Sequence, residues 1–149
     1  MENIDIALTE TDGIFDISFE NGDLKTINNF DTALDMSVYC ERRADETEQP
    51  VNYLRRGWWG NTLSEVEGYE IGSKLWQYYQ SRLTQETNNK VINVLQEALQ
   101  WLVEDGHLQN IIVTSSISEG KIQPKITLVR SNNEVESRSY KLWNNTTGA

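Results

Sequence analysis

An α+β domain is predicted by three features of the sequence. Apolar and polar residues alternate over the first thirty positions, apolar residues recur at helical spacing over residues 84–104, and alternation returns from residue 107 onward. The 149 residues suit one domain, 1–149, long enough to bury a core. A hydrophobic content of 38%, including five Trp, six Tyr and three Phe, is that of a folded chain.

In the first region, 1–29, Ile4, Ile6 and Leu8 alternate with polar residues as in a half-buried strand, and Phe15, Ile17 and Phe19 repeat the pattern. Asn21-Gly22 readily adopts the positive φ angles of a hairpin turn, and Leu24 and Ile27 continue beyond it. This region therefore reads as short antiparallel strands.

Residues 30–105 read as a region of two to three helices around an ordered loop. Asp31 is placed to cap a helix running to about Arg43, with Leu34, Met36, Val38, Tyr39 and Cys40 as a broad apolar stripe. Periodicity is lost over 45–70, where Pro50, Gly57, Gly60 and Gly68 mark the loop. Residues 72–82 read as a short helix with Leu75, Trp76 and Tyr79 on one side. Thr84 caps the strongest helix, which runs to about Glu104. Its Val91, Leu95, Ala98 and Leu102 share one face, with Val94 and Trp101 alongside, and Gly106 supplies the left-handed residue that ends it.

The last region, 107–143, reads as a three-stranded antiparallel meander. Ile111, Val113 and Ile117 lie on the first strand, and Glu119-Gly120 turns the chain into a second with Ile122, Ile126 and Leu128. Asn132-Asn133 turns it again toward Tyr140, Leu142 and Trp143. Pro124 has no N–H to donate, which favours an edge position or a bulge for its strand. No internal repeat is present.

The formal net charge of −10 disfavours bulk attraction to nucleic acid or anionic lipid. It is unevenly placed. Residues 1–50 carry thirteen acidic residues against three basic ones, and residues 51–149 balance ten against ten. Such a split suits a subunit meeting different neighbours at its two ends, or a solvated acidic surface that aids solubility. No apolar run approaches a membrane span. The acidic start Met1-Glu2-Asn3-Ile4-Asp5 lacks a signal-peptide pattern, so synthesis and residence in a reducing cytoplasm are expected.

Chemistry is sparse. Cys40, the sole cysteine, excludes an internal disulfide and a cysteine metal cluster, and its apolar helical setting suits an inert thiol. His107 is the sole histidine and reads as a turn residue, because a metal or catalytic role needs partners. Ser64, Ser73 and Ser81 lack a nucleophile-elbow context. No phosphate-cradling loop or EF-hand spacing occurs. No cofactor is expected. Glu65 and Glu67 beside Trp58 and Trp59 form the carboxylate pair least at odds with glycoside cleavage.

The unusual segment is Arg55-Arg56-Gly57-Trp58-Trp59-Gly60. Adjacent tryptophans are costly to expose, flanking glycines allow sharp turns, and arginines can bond carboxylates or carbonyls bidentately. Two readings stand open. The loop is stapled over its own core, or it is an anchor for a partner, since Trp and Arg dominate interface hot spots.

A series of segments runs Glu41-Arg42-Arg43-Ala44, Arg56-Gly57-Trp58-Trp59-Gly60, Ile71-Gly72-Ser73-Lys74-Leu75-Trp76, Leu83-Thr84-Gln85-Glu86-Thr87 and Ala98-Leu99-Gln100-Trp101-Leu102-Val103-Glu104-Asp105-Gly106. Together with Asp5-Ile6-Ala7-Leu8-Thr9 and Gly22-Asp23-Leu24, it resembles the Mu-type phage baseplate protein family over nearly the whole chain. That family is similar to the wedge proteins of contractile tails and to those at the base of the type VI secretion sheath. The resemblance implies a non-enzymatic structural subunit, assembled in the host cytoplasm and carried in the particle baseplate. It implies six copies around the hub and spike, binding to the larger wedge and hub proteins, and a platform for the first ring of tail sheath protein. A strand-sharing edge of the 107–143 meander is the expected platform, since an open edge accepts a neighbour's strand by main-chain pairing.

The candidate interface residues are Arg55, Arg56, Gly57, Trp58, Trp59, Gly60, Trp76, Trp101 and Glu104. The broader wedge family carries Glu-Pro-Arg after its long helix. Glu104-Asp105-Gly106 keeps only the glutamate, which puts a contact through Glu104 alone in doubt. Some of that family bear a lysozyme label, so a tail-borne muramidase is one alternative. A soluble module binding a host protein is another.

Overall fold

The computed structural model describes residues 4–12, 14–27, 30–48 and 55–140. Pro50, Leu142 and Trp143, named above as loop and strand residues, lie outside the described residues.

Six short strands open the chain: β1 (Asp5–Ile6), β2 (Leu8–Thr11), β3 (Ile14–Ile17), β4 (Phe19–Glu20), β5 (Asp23–Leu24) and β6 (Thr26–Ile27). They pair antiparallel as β1 with β6, β2 with β3 and β4 with β5, a ribbon of two-stranded ladders. Asn21 and Gly22 take φ of 53° and 83°, which closes the β4–β5 hairpin as their residue types predict. The expected burial is largely absent. Ala7 is the buried residue of the ribbon, while Ile6, Ile17 and Phe19 stand in solvent. Alternation reports two unlike faces, and here a helix covers only a short stretch of one. Phe15 meets Tyr39 at 5.0 Å between ring centroids, and Leu8 lies beside Met36 and Tyr39.

α1 (Asp31–Tyr39) is shorter than the sequence suggests, and its cap position is Phe30. Asp31 is the first helical residue, and its carboxylate pairs with Arg138. The helix stops four residues early because residues 40–42 leave it to pair with another segment. The Cys40 carbonyl accepts the Ser73 N–H at 2.9 Å, and the Arg42 N–H donates to the Ser73 carbonyl at 2.9 Å. Gly72 (φ +116°) permits this approach, since a Cβ there would sit 2.6 Å from the Cys40 oxygen.

The short helix expected over 72–82 is only a 3-10 turn, Leu75–Gln77. Leu75 and Trp76 are buried in it, while Tyr79 is on the surface rather than on their side. α2 (Gln85–Leu99) starts as predicted, with Thr84 Oγ1 accepting the Thr87 N–H at 3.1 Å. At Gln100 the dihedrals stay helical (φ −59°, ψ −30°), so α3 (Trp101–Glu104) prolongs the same rod. Gly106 follows at φ +77°.

The last three strands, β7 (Asn110–Ser118), β8 (Lys121–Val129) and β9 (Val135–Ser139), form an antiparallel sheet in the order β7-β8-β9. Ile111 faces Leu128, Val113 faces Ile126 and Ile117 faces Ile122. The strand of Pro124 is therefore the central one, not an edge, and it carries no bulge. The Pro124 carbonyl accepts the Tyr140 N–H at 3.0 Å, just beyond the last β8–β9 pair, Lys125 with Ser139. A residue's N and C=O point to the same side of a strand, so the missing donor falls where β9 ends.

The core lies between α2 and this sheet. Val91, Leu95, Leu99 and Leu102 meet Ile111, Val113, Ile122, Ile126 and Leu128, with Leu34, Val38 and Leu75 closing one end. Each such side chain contributes about 1.5–3 kcal/mol by leaving water.

Candidate interaction site

Three segments, 40–48, 55–63 and 69–77, are knitted into one unit beside this core. Arg55 donates to the carbonyls of Asp45 and Glu46, the latter at 3.0 Å, and its own carbonyl accepts the Ala44 N–H at 2.9 Å. Lys74, only 5% exposed, reaches Asp45 Oδ2 at 2.7 Å and Glu48 Oε2 at 3.0 Å. These bonds raise its pKa although burial alone would lower it, so the buried ammonium stays charged. The Lys74 hydrogen bond in turn holds the Asp45 carboxyl below its usual range.

Arg56 pairs with Glu41 at 2.6 Å and lies over the Trp76 ring, 5.2 Å from its centroid. The Trp76 indole N–H donates to the Arg42 carbonyl at 2.8 Å. Arg55, Arg56 and Trp76 therefore hold the loop in place through contacts inside the chain.

The two adjacent tryptophans behave differently. Trp58 is half-buried and covers Gly60, where a Cβ would lie 2.3 Å from its ring. Gly57 takes φ +124°, and a Cβ there would lie 3.1 Å from the Arg43 Cβ. Trp59 follows in a 3-10 turn, Trp59–Leu63, and stands 70% exposed, with Leu63 at 70% and Val66 at 63%. Its turn is tied to the segment that follows. Asn61 bonds Ile71 twice, its amide donating to the carbonyl and its oxygen accepting the N–H, both at 2.9 Å. The loop is thus stapled to its own chain and also presents an apolar face. A cleft of about 450 Å³ opens beside it, lined by Arg43, Arg56, Trp58, Trp59, Thr62 and Glu70 among others.

A second groove, of about 560 Å³, runs between this unit and the α2–α3 rod, and here Trp101 and Glu104 come together. Trp101 is half-buried. Its indole donates to Ser37 Oγ at 3.1 Å, and its ring meets Tyr69 at 6.2 Å and His107 at 5.8 Å. Glu70 and Glu97 reach Arg42 at 3.3 and 3.8 Å. Glu104 and Asp105 add charge at the rim, so four carboxylates surround one guanidinium and an aromatic floor. The groove has the chemistry to hold a basic side chain. Trp58–Trp59 and Trp101–Glu104 line separate openings, with Glu70 on both.

Sequence reasoning passes over Lys74, Asn61 and Tyr69, whereas Arg42, with Arg43, is among the arginines it expects to bond carboxylates or carbonyls. Lys74 carried a signal, being a lone cation inside Ile71–Trp76. Asn61 carried none, because an amide in a loop is unremarkable until its partner is known.

The remaining reactive groups are dispersed. His107 lies on the surface between the rings of Phe30 and Trp101. Burial raises the Cys40 thiol, which keeps it protonated. Glu65 and Glu67 are exposed on the loop after the 3-10 turn. Among the described residues, no group of three acidic, histidine or cysteine side chains could hold a metal ion.

Comparison with known proteins agrees with the motif series. A family model described as Phage protein GP46 matches residues 30–135. The chain is 29% identical over 140 residues to "Baseplate protein gp46" of Escherichia phage Mu, covering 92% of this chain and 94% of that protein. It is 25% identical over 138 residues to "Mu-like prophage FluMu protein gp46" of Haemophilus influenzae, covering 92% and 95%.

Proposed function

The chain belongs to the phage protein GP46 family, and from that premise we propose that it is a structural subunit of a Mu-like baseplate on which the first ring of tail sheath assembles. Its work is to bind other proteins rather than to catalyse a reaction. It is assembled in the host cytoplasm, is carried in the particle, and functions as one unit over residues 1–149. Six copies surround the hub, each held by the larger wedge proteins. The Trp59 face and the Trp101–Glu104 groove are the contacts to those neighbours, with the glutamate-rich groove receiving a basic side chain.

The observation carrying the platform role is the inequality of the two sheet edges. The Tyr140-to-Pro124 bond fixes which backbone groups point where. Even-numbered β9 residues face β8, so the N–H groups of Val135, Ser137 and Ser139 point outward. On the other edge, Ile111 and Ser115 turn their carbonyls away from β8, and α2 occupies them. Gln96 donates to Ile111 at 3.0 Å and Asn88 to Ser115 at 3.2 Å. Among the described residues no strand lies outside β9. β9 is therefore the edge open to a neighbour's strand.

The test is Ser137→Pro. It removes an outward donor and leaves the β8 ladder intact. Sheath should fail to polymerise on baseplates carrying the variant while the purified protein melts as a folded chain. Normal sheath on variant baseplates would rule out β9 as the platform.

A further inference from the structure

The cleft of about 450 Å³ at the tryptophan turn brings Trp58, Trp59, Arg43, Arg56 and Glu70 to one opening. Most of its charge is already answered inside the chain. Arg56 is paired with Glu41 at 2.6 Å, and Glu70 with Arg42 at 3.3 Å. Arg43 is different. It is exposed, and its guanidinium donates one long hydrogen bond, to the Arg56 carbonyl at 3.3 Å. Among the described residues it has no carboxylate partner. Outside them the sequence holds a single acidic side chain, Glu2.

That charge identifies what the cleft takes. Trp59 is 70% exposed and lines the same opening, so a partner that covers its ring also covers Arg43. Covering strips water from a guanidinium that has five N–H donors and one carbonyl to meet them. A cation desolvated without a counter-charge is strongly unfavourable, and beside two indole rings an ion pair is stronger than in water. A carboxylate supplies both the charge and two acceptors that fit the guanidinium fork. A second cation would be repelled, and a neutral amide would leave the charge unanswered.

We propose that this cleft receives an Asp or Glu side chain, paired with Arg43, from an apolar segment of another baseplate protein lying over Trp59. The inference rests on the Trp59 face being a baseplate contact and names the chemistry of that contact. A second copy of this chain is disfavoured, because two chains of net charge −10 repel each other. The two openings then call for opposite charges. The groove at Trp101 and Glu104 takes a base and the cleft at Trp59 takes an acid, with Glu70 on the rim of both. A neighbour spanning them is accepted in one orientation, since the reverse sets like charges together.

Two variants at Arg43 test this in purified particles. R43K keeps the charge and places at position 43 an amine, which a water-soluble carbodiimide joins to a carboxylate in contact. A cross-link from position 43 to an Asp or Glu of another protein is expected, with none there in wild-type particles. R43E should melt with the wild type as purified chain, because its side chain is exposed. It should be depleted from particles about tenfold, the equivalent of ~1.4 kcal/mol of lost contact. A cross-link to a second copy would overturn the choice of partner. R43K present in particles without a link to another protein, or R43E undepleted, would overturn the carboxylate pairing and leave the baseplate reading standing. R43E melting well below the wild type would assign Arg43 to the fold and overturn it as well. Particles lacking the wild-type chain would overturn both readings.

Discussion

The ribbon of β1–β6 and the sheet of β7–β9 are written in the same pattern and put it to opposite uses. In the sheet, Ile111, Val113, Ile126 and Leu128 are at most 7% exposed because the Val91–Leu102 face of the α2–α3 rod lies across them. In the ribbon, Ile17 and Phe19 alternate as regularly and remain 46% and 68% exposed. The difference is not in the strands. It lies in what the chain supplies to cover them: a fifteen-residue amphipathic helix in one case, the short reach of Met36 and Tyr39 in the other. Alternation shows that a strand has two unlike faces. Whether the apolar one is covered by the same chain or by another depends on the rest of the molecule.

The largest effect should separate the two regions outright. Leu95, with no exposed surface, sits at the centre of the helix–sheet contact, and Leu95→Ala should cost about 2–5 kcal/mol in urea unfolding. Phe19→Ser in the ribbon should stay within about 0.5 kcal/mol, since a side chain already in water loses little by becoming polar. Equal losses at the two positions would mean that the ribbon carries core energy and would break the comparison.

A smaller effect sharpens it at the seam. Arg138 on β9 bonds Glu136 at 2.6 Å and pairs with Asp31 at the start of α1, joining the sheet to the helix beneath the ribbon. At 29% side-chain exposure the cluster is partly screened, so Arg138→Ala should cost about 1–2 kcal/mol at neutral pH. Glu136 is held below its ordinary pKa, mainly by the Arg138 hydrogen bond. Its contribution is present above the ordinary glutamate pKa and lost as pH falls through the depressed folded value. The gap between wild type and variant, followed by thermal melts at a series of pH values, should therefore narrow in acid.

The smallest effect has the opposite sign. Asp35 on α1 is raised, first by burial and then by Asp31, with Arg138 opposing and Glu10 of the ribbon adding to it. A raised carboxyl destabilises the folded state at neutral pH, and the penalty disappears as pH falls below the unfolded aspartate pKa. Asp35→Asn should raise Tm slightly at neutral pH and leave it unchanged in acid. A lowered Tm at neutral pH would contradict this account of the seam.

How much was legible in the sequence follows from the range of the interactions. The α2 face, the Thr84 cap, the Asn21-Gly22 turn and the three-stranded meander are set by residues within one element, and each was readable. The early end of α1 and the collapse of residues 72–82 to a single 3-10 turn were not. Both arise from Cys40–Arg42 pairing with Ser73, more than thirty residues away, which spacing cannot report. Pro124 predicts an edge or a bulge because a lost donor within a ladder is costly, and the chain instead places it where the ladder stops. In the candidate site, the tryptophan–arginine loop stood out by composition. The use of Arg55 and Arg56 as internal staples depended on partners at Glu41 and residues 44–46.

The central claim is that the exposed apolar surfaces of this chain are contacts within a baseplate. A cryo-electron microscopy reconstruction of the particle from an induced host tests it most directly. The account predicts this chain in copies around the hub beneath the sheath, with Phe19 and Trp59 covered by neighbouring proteins and a foreign strand along β9. A particle lacking the chain, or one in which Phe19, Trp59 and the β9 edge all face solvent, would contradict it.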